Sequence, residues 1–246
     1  NTASREEILT RVNDEQWRRS LAPDRELAPY QNAVAPVYGA YEQAHFQAAT
    51  MGKILTHVAD FPRGGRLVSL GSGPGSYELW LLTTTRLARV TLIDHSAAML
   101  ERARAIAQDL CEENRLETIV SDAAQSALPA SSADIVFSIN AMHWSARWRQ
   151  WISEAARIAK PGGEILLTCS LGHLRSMITI ETFAAACVQH FKVLNAGLLL
   201  PPQQLPGGMA TISSRVFCYG RKARTAQAQK KTKKRRISGE TSGCTR

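Results

Sequence analysis

The chain predicts an α/β fold: a parallel sheet with helices packed on both faces. Three observations predict it. Between residues 66 and 169, short apolar runs alternate with helical periods. The first run, Leu67–Leu70, ends in the glycine turn Gly71-Ser72-Gly73-Pro74-Gly75. The second run, near Val90–Ile93, ends in an acid, Asp94. A glycine turn lets the backbone bend sharply and approach a ligand, and an acid at the next strand end is placed for the hydroxyls of a ribose.

The elements follow in order. Residues 5–20 carry Ile8, Leu9, Val12 and Trp17 at helical spacing among charges, and Pro23, Pro29 and Pro36 interrupt what comes next. A second helix is expected over 37–59. Then come strand 66–70, helix 76–87 with Ser76 as its cap, strand 90–94, and helix 96–113 capped by Ser96. Strand 116–120, a short helix near 123–127, strand 135–139, helix 146–159 and strand 164–169 continue the alternation. A helix near 180–190, a strand near 191–199, a Pro/Gly-rich loop over 201–208 and a strand near 211–220 complete it.

These residues carry a resemblance. The glycine turn and Asp94 are followed by Asp122-Ala123 and, two residues later than usual, Leu128-Pro129. Ala133–Phe137, the loop Asn140–Trp144 and the turn Lys160-Pro161-Gly162-Gly163 come next, in the same order as in the class I S-adenosylmethionine-dependent methyltransferases. The chain resembles the methyltransferase 11-like group of that family over about residues 34–220. The resemblance implies a Rossmann-like, seven-stranded, mostly parallel sheet with an antiparallel C-terminal edge hairpin. It implies an N-terminal helical lid (1–60) and a cofactor-binding domain (61–220); residues 221–246 lack any apolar pattern and are expected to form a disordered basic tail. It implies S-adenosylmethionine as cofactor, held by Tyr38, Gly71, Ser72, Gly73, Gly75, Asp94, His95, Asp122, Ala123 and Asn140. Where the family usually has Asp or Glu, this chain has Ser69.

Methyl transfer needs an aligned acceptor and, for some oxygen acceptors, a base. His143, in the loop after the fourth strand, is the first candidate, and His173, after the fifth, the second. His45, His57 and His190 fall on helices and read as packing or surface residues. Trp144 is placed to line an apolar acceptor pocket, while Trp148 and Trp151 share a helix face and read as core. There is no Asn-Pro-Pro-aromatic segment for adenine amines, no Pro-Cys nucleophile and no acid cluster with metal spacing, so no metal is expected.

Composition narrows the partners. No apolar run is long enough to span a membrane. No charged-then-apolar leader opens the chain, and it begins at Asn1 rather than Met, which leaves room for a processed upstream segment. The cysteines, Cys111, Cys169, Cys187, Cys218 and Cys244, are scattered and odd in number, as in a cytoplasmic protein with reduced thiols; Cys111, Cys169 and Cys187 are expected in the core. Residues 221–246 hold ten of the 30 Lys and Arg but one of the 21 acids, so the net charge of +9 lies in the tail. The cluster at residues 230–236 suits RNA or another polyanion, a nuclear address, or simple solvation.

Three functions follow. The first is methyl transfer to a small, partly apolar molecule at O, N or C. The second is methylation of RNA or of a nucleic-acid-associated protein docked by the tail. The third is a non-catalytic binding protein, which Ser69 motivates. A nicotinamide-dependent oxidoreductase fits the glycine spacing poorly.

Overall fold

The computed structural model describes residues 35, 64–171, 176–200, 203–204, 211–212 and 215–223. The expected lid with Tyr38, His45 and His57, the loop carrying His173, and the tail from residue 224 onward lie outside the described residues.

The strands are β1 (Arg66–Leu70), β2 (Arg89–Asp94), β3 (Leu116–Val120), β4 (Ala133–Ile139), β5 (Ala159–Ser170), β6 (Lys192–Leu200), β7 (Gln203–Gln204), β8 (Thr211–Ile212) and β9 (Arg215–Arg221). Seven of them form one sheet in the order β3-β2-β1-β4-β5-β9-β6, and β7 pairs with β8 alone. β1 to β5 are mutually parallel, whereas β9 runs antiparallel to both β5 and β6. Strand order reverses between β1 and β4, so a crevice opens at their carboxyl ends, where ligands bind in such sheets.

The helices are α1 (Ser76–Thr84), α2 (Ala97–Asp109), α3 (Trp148–Ile158) and α4 (Ile180–His190). Alternating strand residues serve the two faces. Leu67, Val90, Leu92 and Phe137 pack with Leu79 and Leu82 of α1 and Leu100 of α2. Val68, Val136, Ile165 and Leu167 pack with Trp148 and Ile152 of α3 and Phe183 of α4. The sheet is therefore covered on both sides, and its central strands β1 and β4 are buried almost throughout.

Several expectations are corrected. Helix α1 begins at Ser76 itself: Gly75, at φ +68°, is the N-cap residue, and no side chain caps it. It stops at Thr84 rather than 87, where the hydroxyls of Thr84 and Thr85 donate to the carbonyls of Trp80 and Leu81. Ser96 does cap α2, accepting from Met99 N at 3.2 Å, but the helix ends at Asp109 rather than 113. Cys111, at φ +57°, turns the chain out of the helix and is exposed rather than in the core. Residues 123–127 form a turn and not a helix, because Asp122 Oδ1 accepts from Ala124 N at 2.8 Å and competes with helical bonding. Strand β5 begins at Ala159, so the Lys160–Gly163 segment lies within it. Gly163 has no room for a Cβ, which would fall 2.9 Å from the Lys160 carbonyl oxygen. The last strand of the sheet starts at Arg215 instead of 211.

Candidate cofactor and acceptor site

The glycine turn is fastened to β2. Gly71 N and Ser72 N both donate to the Ile93 carbonyl, at 2.8 and 3.1 Å. Gly73 N donates to Asp94 Oδ2 at 2.8 Å, while Asp94 Oδ1 accepts from Ser96 N at 2.9 Å. One carboxylate therefore ties the β1 turn to the start of α2. Asp94 is 8% exposed and stands at the carboxyl end of β2, and its carboxylate keeps acceptor capacity beyond these two bonds. Gly71 is needed twice over. Its φ is +67°, and a Cβ there would lie 2.7 Å from both the Ala141 Cβ and the Trp151 ring.

Beneath the turn, Ser69 Oγ donates to Glu78 Oε1 at 2.6 Å, and both side chains are buried. A carboxylate thus stands beside the position where the family usually carries one, but it comes from the first turn of α1. Sequence reasoning missed it. The signal was an acid set among apolar residues in Tyr77-Glu78-Leu79-Trp80.

On the far side of β2, Asp122 follows β3 and Ala123 is buried behind it. Asp122 Oδ2 pairs with Arg147, a partner the sequence did not suggest. Both side chains are about half exposed, so this pair is weakly held. His95, between Asp94 and the cap Ser96, is half-buried.

At the end of β4, Asn140 adopts φ +52°, a strained value for a residue other than glycine. It is held there by β5: Asn140 N donates to Thr168 Oγ1 at 2.8 Å, and Ser170 Oγ donates to Asn140 Oδ1 at 3.1 Å. His143 lies in the one-turn helix Met142–Trp144 that follows and is 4% exposed. Ser170 N donates to His143 Nδ1 at 3.4 Å, so the neutral ring carries its proton on Nε2. Trp144 is half-buried with its ring centroid 5.5 Å from that of His143. Trp148 and Trp151 are buried in the core, as expected, and His190 is exposed.

The structure thus brings Gly71, Ser72, Gly73, Gly75, Asp94, His95, Asp122, Ala123, Asn140 and His143 to one edge of the sheet. Among the described residues, no three His, Cys, Asp or Glu side chains converge as a metal ion requires. No described helix is long and apolar enough to cross a membrane.

Residues 68–167 match the family model described as a methyltransferase domain. A malonyl-[acyl-carrier protein] O-methyltransferase of Hahella chejuensis is 32% identical over 117 residues, 47% of this chain and 39% of that protein. A trans-aconitate 2-methyltransferase of Streptomyces avermitilis is 30% identical over 102 residues, 41% of this chain and 38% of that protein. The aligned stretch thus spans well under half of either relative. Among solved structures, the geranyl diphosphate C-methyltransferase of Streptomyces coelicolor superimposes with a TM-score of 0.59 at 13% identity. It covers 71% of this chain and 76% of its own, a likeness of fold. The matched stretch begins inside β1 and ends inside β5, and so takes in the turn, Asp94, Asp122 and Asn140 together. Over that stretch, and there only, the chain matches a methyltransferase domain and is similar to methyltransferases in both sequence and fold.

Proposed function

We propose that the protein is an enzyme that transfers a methyl group from S-adenosylmethionine to a small, partly apolar molecule at O, N or C. The observation that carries this reading is that the methyltransferase match coincides with the residues gathered at the sheet edge.

The donor set suits the cofactor. Asp94 is anchored by two backbone N–H groups and keeps acceptor capacity for the ribose hydroxyls. Asp122 and the backbone at Ala123 suit the adenine side. The Gly71–Gly75 turn, Glu78 below it and Asn140 opposite suit the methionine side, while His95 flanks the ribose. Tyr38 is assigned to the cofactor by the family pattern alone. When bound, S-adenosylmethionine supplies the electrophilic methyl group. The chain's own task is to seat the acceptor in line and keep water out. Trp144 supplies apolar wall for that seat, and His143 or His173 a polar contact.

The non-catalytic reading loses its motive, because Glu78 places a carboxylate where Ser69 had taken one away. Docking of RNA through residues 230–236 draws no support from the names of either relative. Deleting residues 224–246 is expected to leave small-molecule turnover intact. Free thiols at Cys111, Cys169, Cys187 and Cys218 fit a cytoplasmic setting, with nuclear import through residues 230–236 as the alternative.

The experiment is labelled-methyl transfer from S-adenosylmethionine into a fractionated cell extract, beside an Asp94→Ala control and calorimetric cofactor binding. Label in the small-molecule fraction, lost in the control, is the expected outcome. Label confined to RNA or protein would overturn the acceptor class, and absent cofactor binding would overturn the enzyme.

A further inference from the structure

The carboxyl end of β5 departs from the rest of the strand. Ile165, Leu166 and Leu167 are apolar and buried, and then Thr168 and Ser170 bring two hydroxyls inside, at 1% and 4% exposure. Residues two apart on a strand share a face, and Cys169 between them turns to the opposite face, into the core packed by α3 and α4. A buried hydroxyl is costly unless it is hydrogen-bonded, and both of these meet one residue, Asn140. Thr168 Oγ1 accepts from Asn140 N at 2.8 Å, a donor shared with the Thr168 carbonyl at 3.1 Å. Ser170 Oγ donates to Asn140 Oδ1 at 3.1 Å. One hydroxyl grips the backbone of Asn140 and the other grips its side chain.

The backbone so gripped is strained, at φ +52°. A glycine would adopt that conformation without strain, so the turn by itself calls for no side chain at this position. The bond from Ser170 fixes the direction of the carboxamide, with its oxygen toward Ser170 and its nitrogen turned away. An amide nitrogen offers two N–H donors, which suit the carboxylate of a methionine part.

We propose that Thr168 and Ser170 are positioning residues for the cofactor: they hold the backbone and amide of Asn140 in the form that meets the methionine end of S-adenosylmethionine. This rests on the methyltransferase reading above and adds two residues of β5 to it. Neither hydroxyl touches the cofactor; each acts through Asn140.

The test uses the full chain and two ligands, titrated by calorimetry: S-adenosylhomocysteine, and methylthioadenosine, which has the nucleoside and the sulfur but lacks the amino-acid end. Thr168→Val and Ser170→Ala are each expected to weaken S-adenosylhomocysteine about fivefold or more, the size of one lost hydrogen bond, and to leave methylthioadenosine unchanged. Thr168→Ser, which keeps the hydroxyl, should restore the affinity. Ser170→Ala keeps the Ser170 N–H to His143 and so carries the test even where Thr168→Val does not fold. In an Asn140→Ala background, Ser170→Ala should cost nothing further, because the bond it removes is already gone. A loss shared equally by both ligands, no loss in either, or a further loss in the Asn140→Ala background overturns the proposal. Absence of S-adenosylhomocysteine binding in the wild type would instead strike the methyltransferase reading itself, and this proposal with it.

Discussion

Ser69 and Glu78 form one buried unit, a hydroxyl on β1 donating at 2.6 Å to a carboxylate on α1. The glycine turn lies between them in the chain, so this bond closes the loop from beneath. A swap tests the unit. Ser69→Asp alone would set two buried carboxylates against each other and is expected to destabilise by about 3 kcal/mol, roughly 6–12 °C in melting temperature. Combining it with Glu78→Ser returns one acid and one hydroxyl and should recover most of the loss. Thermal unfolding of the two variants decides it, and a double variant no better than the single would sink the idea.

Arg147 covers the second oxygen of Asp122. An exposed pair of this kind contributes about 0–1 kcal/mol, so Arg147→Ala should leave stability unchanged. It frees a carboxylate assigned to the adenine side, and S-adenosylmethionine should bind a few-fold more tightly. Calorimetry gives the answer; weaker binding would mean that Arg147 itself touches the cofactor.

Glu154 on α3 is buried and accepts from Ser126 N at 2.8 Å and Arg157 Nε at 2.7 Å. Burial by itself would raise its carboxyl, but the bonds from Arg157 and Ser126 and the Arg157 charge together hold it below its ordinary value of 4.5. A depressed carboxyl stabilises the fold at neutral pH and loses that contribution as pH falls below about 4.5. Glu154→Gln should therefore be markedly less stable than wild type at pH 7, with the gap narrowing at pH 3.5. Urea midpoints at the two pH values test this, and a gap that does not narrow refutes it.

Thiol reactivity should split the cysteines. Burial, with the neighbouring Cys218, pushes the Cys169 thiol well up. Its hydrogen bond with Cys218, then burial, does the same for Cys187. Cys111 is exposed. In native protein, Cys111→Ser should remove one fast-reacting thiol, whereas Cys169→Ser and Cys187→Ser should change only the slow count after unfolding. Fast loss of signal in either buried variant would contradict the packing.

The order of strands and helices was legible because apolar runs and glycine turns are local signals. The antiparallel pair at the end was legible only through the family resemblance. What local reading missed depends on contacts made across the sheet. The turn at Asp122 replaced an expected helix because one side chain bonded its own backbone. In the site, Asp94 could be found from its place at a strand end. Glu78 and Arg147 could not, since each matters through a partner on a different element: Ser69 on β1 and Asp122 after β3. His143 was legible as a site residue, but its donor state needed the Ser170 N–H.

Strand β9 sits between β5 and β6, although it is the last of the sheet to be synthesised. Until residue 221 has emerged, β5 has one side unpaired and β6 has no neighbour in the sheet. A nascent chain therefore carries an open apolar edge through the later part of its translation. Closure of the sheet is thus deferred to the last strand, which makes the stalled or shortened chain an aggregation hazard and leaves the finished protein without that exposed seam.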